Sequence, residues 1–407
     1  MARTDVPLLF ATRVVRLFAH GCLSVILVLY LDAVGLSAAQ IGLLLTLTLV
    51  GDAGISLWIT TRADRVGRRR MLLLGAALMV LAGLVFATTR SFAALLFAAV
   101  VGVISPSGNE VGPFLAIEQA ALAEEVPAAR RTGVFAWYTL AGALATALGS
   151  LAGGGVVQAL HSRGVLASCR VVVIGYAILA LVLAALFTRL SAAAEAPAAP
   201  RPTERPVWFQ ADLGLRASRP HVLRLAGLFG VDAFAGGFVV QAFLAYWFHT
   251  RFHVPPAALG AIFFGANVLA GVSSLSAAWL ARRIGLLATM VATHLPSNVL
   301  LLLVPLMPNL TLALAVLLAR FSISQMDVPT RQAYTMALVD PAERSAAAGV
   351  TGIARTIGAA LAPLVAGPLY AAASLSSLPF IFAGGLKIVY DLLIWRTFHK
   401  VSLASRE

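Results

Sequence analysis

The sequence predicts an all-α polytopic membrane protein with about twelve transmembrane helices in two pseudo-symmetric six-helix bundles. Three observations predict it: an extremely apolar composition, apolar runs of spanning length along the whole chain, and a repeat between its halves. Of 407 residues, 60% are hydrophobic and 12% charged, and the mean hydropathy is +0.91. A soluble domain is about 45–50% apolar and about 25% charged. No soluble fold of this length hides so much apolar surface, so lipid must be the main solvent. A transmembrane barrel would need short strands of period two, whereas these runs are long, continuous and rich in Ala, Leu and Gly.

The elements fall where apolar runs meet charge, proline or turn residues. The first two spans, 9–32 and 38–60, are followed by an arginine-rich stretch, and 71–89 and 92–122 flank Arg90. The fourth carries Pro106, Gly108, Gly112 and Pro113, which should loosen its helix. Spans 132–160 and 166–188 follow Arg131 and Arg163, and 221–249 and 257–280 follow Pro220 and Pro256. Spans 285–306 and 309–337 meet at Pro308–Asn309, and 346–372 and 377–397 at the turn Ser374–Ser377. The first run is too long for a signal peptide and lacks a small-residue cleavage site, so it is expected to remain as a span. An even count puts both termini on one side.

Charge selects that side. Even-numbered spans are followed by Arg62, Arg65, Arg68, Arg69 and Arg70, by Arg130 and Arg131, by Arg282 and Arg283, and by Arg344. Odd-numbered spans are followed by Arg90, by Arg163 and Arg170, and by Arg251. The positive-inside rule then places both termini in the cytoplasm, and the net charge of +13 reads as topology, with no nucleic-acid partner. The bias toward arginine and alanine predicts a bacterial inner (plasma) membrane. Cys22 and Cys169 are too few for a disulfide framework or a cysteine metal site.

Residues 191–220 are rich in Ala and Pro and carry Arg201, Arg205, Arg216 and Arg219. They predict a cytoplasmic linker between an N-terminal bundle, 1–190, and a C-terminal bundle, 221–407. The halves align: "LSAAQIG" from Leu36 with "VPPAALG" from Val254, "ADRVGRR" from Ala63 with "ARRIGLL" from Ala281, and "GSLAGG" from Gly149 with "APLVAG" from Ala362. Repeated bundles mark many secondary transporters.

The stretch "TTRADRVGRRR", from Thr60 to Arg70, has a physical reading of its own. Gly67 permits a tight reversal at the membrane surface, and the arginines hold the loop in the cytoplasm. An acid near a helix N-terminus is favoured by about 0.3–1 kcal/mol. The stretch also resembles the signature of the major facilitator superfamily between its second and third helices. Asp64, Arg65, Gly67, Arg68 and Arg69 stand in register with that signature, Thr60 replaces its first glycine, and Arg282, Arg283 and Gly285 form a degenerate copy. The resemblance spans the chain and implies the major facilitator fold. It also implies a cytoplasmic gate in which Asp64 and Arg68, with Glu124, latch when that side is shut.

Gly149, Gly153 and Gly154 in "GSLAGG" resemble the antiporter signature of the twelve-helix drug/proton antiporter-type exporters, although Ser150 stands in place of its proline. Plain helix packing is the other reading, because small residues let helices approach.

Ionisable groups inside spans are expensive and are functional candidates. Glu110 and Asp327 lie at matched depths in corresponding spans beside helix-breaking residues, with Asn109 next to the first and Arg331 near the second. They lead the proton-coupling candidates, joined by Asp232 and Asp52. Arg16, His20, Arg331, Arg355, Lys387 and Asp391 complete the substrate-cavity candidates. Arg16, Arg331, Arg355 and Lys387 would suit an anionic substrate, unless nearby acids cancel them. Lys387 and Asp391, four apart on one helical face, are expected to neutralise each other. Arg13 and Glu118 are expected near the cytoplasmic surface, where long side chains snorkel.

Together these features predict a secondary active transporter of a small organic solute, with proton-coupled export leading and uptake or lipid flipping as alternatives. The expected partners are the lipid bilayer, a small-molecule substrate and protons; no cofactor beyond the proton gradient is expected, and the protein is read as a monomer. An ATP-driven pump built on a phosphate-binding loop in this chain is not expected, and nothing motivates a partner ATPase. A phosphate-binding loop needs glycine before its lysine, but Lys387 and Lys400 follow Leu386 and His399. No HExxH or GxSxG motif occurs and the histidines show no metal-ligand spacing, so an enzyme is not expected. A non-transporting receptor or a membrane enzyme on the same fold are the readings from other classes.

Overall fold

The computed structural model describes residues 5–109, 112–191, 194, 218–340 and 343–401. Its regular elements, among the described residues, are all helical. In the first half these are α1 (Val6–Val34), α2 (Ala38–Val66), α3 (Arg68–Thr88), α4 (Phe92–Val101), α5 (Phe114–Glu125), α6 (Ala128–Ala159) and α7 (Val165–Phe187). The second half has α8 (Arg219–Gly237), α9 (Gln241–Phe252), α10 (Pro256–Ile284), α11 (Leu286–Leu303), α12 (Leu310–Phe321), α13 (Asp327–Leu338), α14 (Arg344–Ala371) and α15 (Leu378–Phe398). Ten candidate spans, with α8 and α9 counted together, are long and apolar enough to cross a membrane, and α4 and α12 are shorter apolar helices. The sum matches the expected twelve crossings.

Local chemistry sets the boundaries. α1 stops at Gly35, whose φ of 98° suits a residue without Cβ. Ser37 and Gln40 then form a capping box that starts α2. Gly67, at φ 114°, makes the predicted reversal between α2 and α3. Gly285, at φ 87°, does the same between α10 and α11, where the repeat alignment puts its counterpart. His253, at φ 53°, occupies the left-handed position equivalent to Gly35. The repeat is therefore visible in the turns as well as in the letters.

Three predicted spans prove to be broken. The fourth leaves helical geometry at 102–109 and again at 112–113, with Gly108 at φ 72° and Gly112 at φ 83°. The tenth, read as continuous over 309–337, splits at Ser322–Met326. The seventh, read as continuous over 221–249, breaks at Phe238–Val240, just after Gly236 and Gly237. Glycine is about 1 kcal/mol less favourable than alanine inside a helix, and the adjacent pair went unread in the sequence.

Two compact units form. One holds the described residues up to Pro200 together with Val240–Val268; the other holds those of Arg201–Val239 and Leu269–Glu407. Most of the predicted linker, 192–193 and 195–217, lies outside the described residues. In the first unit α1 packs on α6 at glycines: a Cβ on Gly149 would meet the Phe18 carbonyl oxygen at 2.1 Å, and one on Gly153 would meet that of Cys22 at 2.4 Å. The corresponding pair in the second unit is α8 on α14, where a Cβ on Gly358 would sit 2.2 Å from the Gly230 carbonyl oxygen. Large apolar side chains such as Leu57, Phe97, Trp137, Ile178, Val272 and Leu392 face outward, as lipid contact requires.

Replacing Gly149 with leucine should therefore destabilise the first unit by at least the usual overpacking cost, about 1–3 kcal/mol. The obstacle is backbone and cannot rotate away. Thermal unfolding in detergent reads this as a lower midpoint, and an unchanged midpoint would show that α1 and α6 lie farther apart.

Candidate functional site

Each unit carries a buried polar network inside its helices. In the first, Arg16 of α1 and Glu118 of α5 are both 0% exposed and pair in bidentate fashion: Nη1 to Oε1 at 2.8 Å and Nη2 to Oε2 at 2.7 Å. Thr12 donates to Oε1 at 2.8 Å, and the Tyr138 hydroxyl donates to Oε2. The Arg16 guanidinium also lies 4.7 Å from the centre of the Phe114 ring. The break before α5 lets Phe114 and Glu118 turn toward α1. His20, one turn along α1 from Arg16, is fully buried and stacks on Tyr176 with centroids 6.2 Å apart.

The expectation that Arg13 and Glu118 snorkel is corrected. Glu118 is completely enclosed, because Arg16 supplies the counter-charge that removes its need for water. Arg13 is 6% exposed, its guanidinium 4.3 Å from the centre of the Tyr138 ring.

A second, neutral network lies in the same unit. Gln241, at the start of α9, donates to Ser24 at 2.9 Å and to Ser150 at 3.1 Å, and accepts from Asn267 at 3.1 Å. It binds α1, α6, α9 and α10 with uncharged groups.

The ionic network of the second unit is centred on Asp232 of α8. Its Oδ2 accepts from Arg331 of α13 at 2.9 Å, its Oδ1 accepts from Lys387 of α15, and His294 Nε2 of α11 lies 3.6 Å from Oδ1. Arg331 is also 3.1 Å from Asp327, which opens α13. Behind this lies a second carboxylate, Asp391 of α15. His294 Nδ1 is 2.7 Å from its Oδ1, and Asn298 donates to Oδ2 at 2.9 Å. Hydrogen bonds with a charged partner are about twice as strong as neutral ones, so four helices are tied through one cluster.

The expected mutual neutralisation of Lys387 and Asp391 does not occur. Both lie on α15, but Lys387 turns to Asp232 and Asp391 to His294 and Asn298. Each finds its partner on a neighbouring helix, Lys387 on α8 and Asp391 on α11.

The structure brings Asp232, Asp327, Arg331, Lys387 and Asp391 together, with Arg355 within electrostatic range of Arg331, Asp232 and Asp327. Arg16 and His20 belong to the first unit. Asn109 sits in the non-helical stretch of the fourth span, exposed, with its carbonyl accepting from Ser105 at 2.8 Å. Asp52 is half-buried on α2. Glu110 lies outside the described residues, as do the side chains of Asp64 and Arg65. From the gate motif, Arg68 pairs with both oxygens of Glu124 at 2.8 and 2.9 Å, so α3 is tied to the end of α5. Gly149 and Gly153 abut α1, and a Cβ on Gly154 would meet the Pro256 carbonyl oxygen at 2.2 Å.

Participants that escaped the sequence reading include His294, Asn298, Thr12, Tyr138 and Gln241. A signal existed for the first two, since "THLPSN" sets a histidine and an asparagine four apart on one helical face of an apolar run. Pro296 between them leaves the Ala292 carbonyl without its helical donor.

Against known proteins, the sequence model of the Major Facilitator Superfamily matches residues 9–363. An uncharacterized membrane protein of Saccharomyces cerevisiae is 31% identical over 420 residues, covering 97% of this chain and 94% of its own. Among solved structures, an auto inhibited POT family peptide transporter superposes with a TM-score of 0.73 at 13% identity, covering 100% of this chain and 99% of its own. The nucleoside transporter NupG gives 0.71 at 12%, covering 97% and 99%. At such identities these two structures speak for the fold alone.

Removing one partner of a buried ion pair strands the other at a cost of about 3–5 kcal/mol. Glu118→Ala should therefore lower the thermal midpoint sharply, and the paired change Arg16→Met with Glu118→Leu should recover most of the loss. A double variant as unstable as the single one would mean that the pair is not what holds α1 to α5.

Proposed function

The chain belongs to the major facilitator superfamily, and on that premise we propose a proton-coupled carrier that exports a small organic compound by alternating access. The observation that carries the proton coupling is His294, held between Asp391 at 2.7 Å and Asp232 at 3.6 Å. Histidine is the side chain whose charge changes most readily near neutral pH. When it is protonated, it answers both carboxylates. When it is neutral, Asn298 still donates to Asp391 while Arg331 and Lys387 hold Asp232, so neither acid is abandoned. A group tolerated in both protonation states is what a proton-loading step needs. Asp327 and Asp232, the described acids first favoured for coupling, serve here as fixed counter-charges to Arg331 and Lys387.

Export is supported by the resemblance of the Gly149–Gly154 run to the antiporter signature. Uptake is the second reading, because close packing against α1 and Pro256 accounts for the same glycines. The arginine distribution supports cytoplasmic termini. Composition supports a bacterial plasma membrane, whereas the yeast relative supports a eukaryotic membrane as the alternative.

Inverted vesicles holding an acid-inside gradient, read by a quenched dye, test the proposal with a panel of cationic, neutral and anionic compounds. At least one compound should collapse the gradient with the wild-type protein, and His294→Gln should lower that rate at least tenfold while the protein still reaches the membrane. If labelled compounds equilibrate across the membrane with no proton flux in either protein, the coupling is wrong and facilitated diffusion takes its place.

A further inference from the structure

We infer that the ionic cluster of the second unit is a receptor for an organic anion, whose carboxylate or phosphate oxygens are taken by the guanidinium of Arg355. The inference deepens the transport reading by naming the substrate class, and it rests on that reading for the role of the site.

The cationic candidates divide by whether the protein already answers them. Arg16 is answered completely by Glu118. Arg331 is shared between Asp232 and Asp327, and Lys387 is taken by Asp232. Arg355 is different. It is half-buried on α14, one turn from the α8 contact at Gly358, and makes no hydrogen bond or ion pair with a described residue. Its electrostatic neighbours include Arg331, which repels it, and Asp232 and Asp327, both already engaged. Arg320 at the end of α12 has the same neighbours in Asp327 and Asp232, and its Nε is buried with no hydrogen-bond partner.

The sum of charges points the same way. Among the described residues, Arg320, Arg331, Arg355 and Lys387 face Asp232, Asp327 and Asp391, and His294 adds a further positive charge when protonated. Cations inside a membrane span are retained where they pair or line a polar path. An unanswered guanidinium beside an already positive cluster attracts an anion. Arginine suits it, because its planar fork matches two oxygens of a carboxylate or phosphate at once and its charge does not switch off.

The test uses the purified full-length protein in detergent and matched probes: benzoate against benzamide, hexanoate against hexanamide, and glucose 6-phosphate against glucose. Binding is read by equilibrium titration and by shift of the thermal midpoint. At least one anion should bind tenfold or more tightly than its neutral partner, and the carboxylate and phosphate pairs show which oxyanion the site prefers. Arg355→Gln should erase that preference, and Arg355→Lys should keep part of it. Without ligand, Arg355→Gln should melt no lower than wild type, since no partner is stranded, whereas Arg331→Gln should melt lower because Asp232 and Asp327 lose their shared cation. The inference is overturned if no anion preference exists, if the preference survives Arg355→Gln, or if Arg355→Gln melts as low as Arg331→Gln. Anion binding that depends on Arg355 without proton-linked flux would sink the coupling and leave this site standing. Flux indifferent to substrate charge would do the reverse.

Discussion

The second unit depends on one buried carboxylate. Asp232 receives Arg331 on one oxygen and Lys387 on the other, with His294 nearby. An ion in apolar surroundings loses several kcal/mol of solvation that a well-placed counter-ion must return. Three helices, α11, α13 and α15, each send a charged or titratable group to the one acid on α8. The break at Ser322–Met326 serves the same end. By ending α12 and restarting the helix at Asp327, it places a carboxylate in the first turn of α13, where the helix dipole favours it, and in reach of Arg331 one turn on.

Helix packing makes these networks possible. Side chains such as Asp are short, so the backbones carrying them must come close. Gly358 admits the Gly230 carbonyl at van der Waals contact two residues from Asp232, and Gly384 admits Leu302 and the Asn298 carbonyl three residues from Lys387. In the first unit, Gly149 and Gly153 bring α6 against α1 at Phe18 and Cys22, alongside Arg16 and His20. Small residues thus act twice: they permit the crossing, and the crossing sets how far a charged group must reach. The same geometry leaves Arg355 on a helix whose close partner offers it no free acid.

The two units solve the burial of charge differently. In the first, a closed pair between Arg16 and Glu118 is completed by Thr12 and Tyr138, so every carboxylate oxygen has a donor and no net charge remains. In the second, the charges outnumber their partners and a histidine stands within the chain of contacts. A closed pair suits a scaffold, while the second cluster leaves positive charge that its own acids do not cancel.

Much of this was legible in the letters. Apolar runs fixed the crossings because lipid demands about 20 apolar residues per helix. Gly67 announced its turn because a reversal at that point needs positive φ. Glycine and proline announced the broken fourth span. What the letters could not show was which charge meets which. Glu118 read as a surface acid because its partner Arg16 lies about a hundred residues away, and Lys387 and Asp391 read as a pair because sequence sees only their own helix. Sequence by itself determined the membrane class, the crossings, the repeat and many of the charges that lie within spans, since these follow from local composition and period. The tertiary structure alone decided the pairing of those charges, and hence which cation is left unanswered, because counter-ions are chosen by distance between helices.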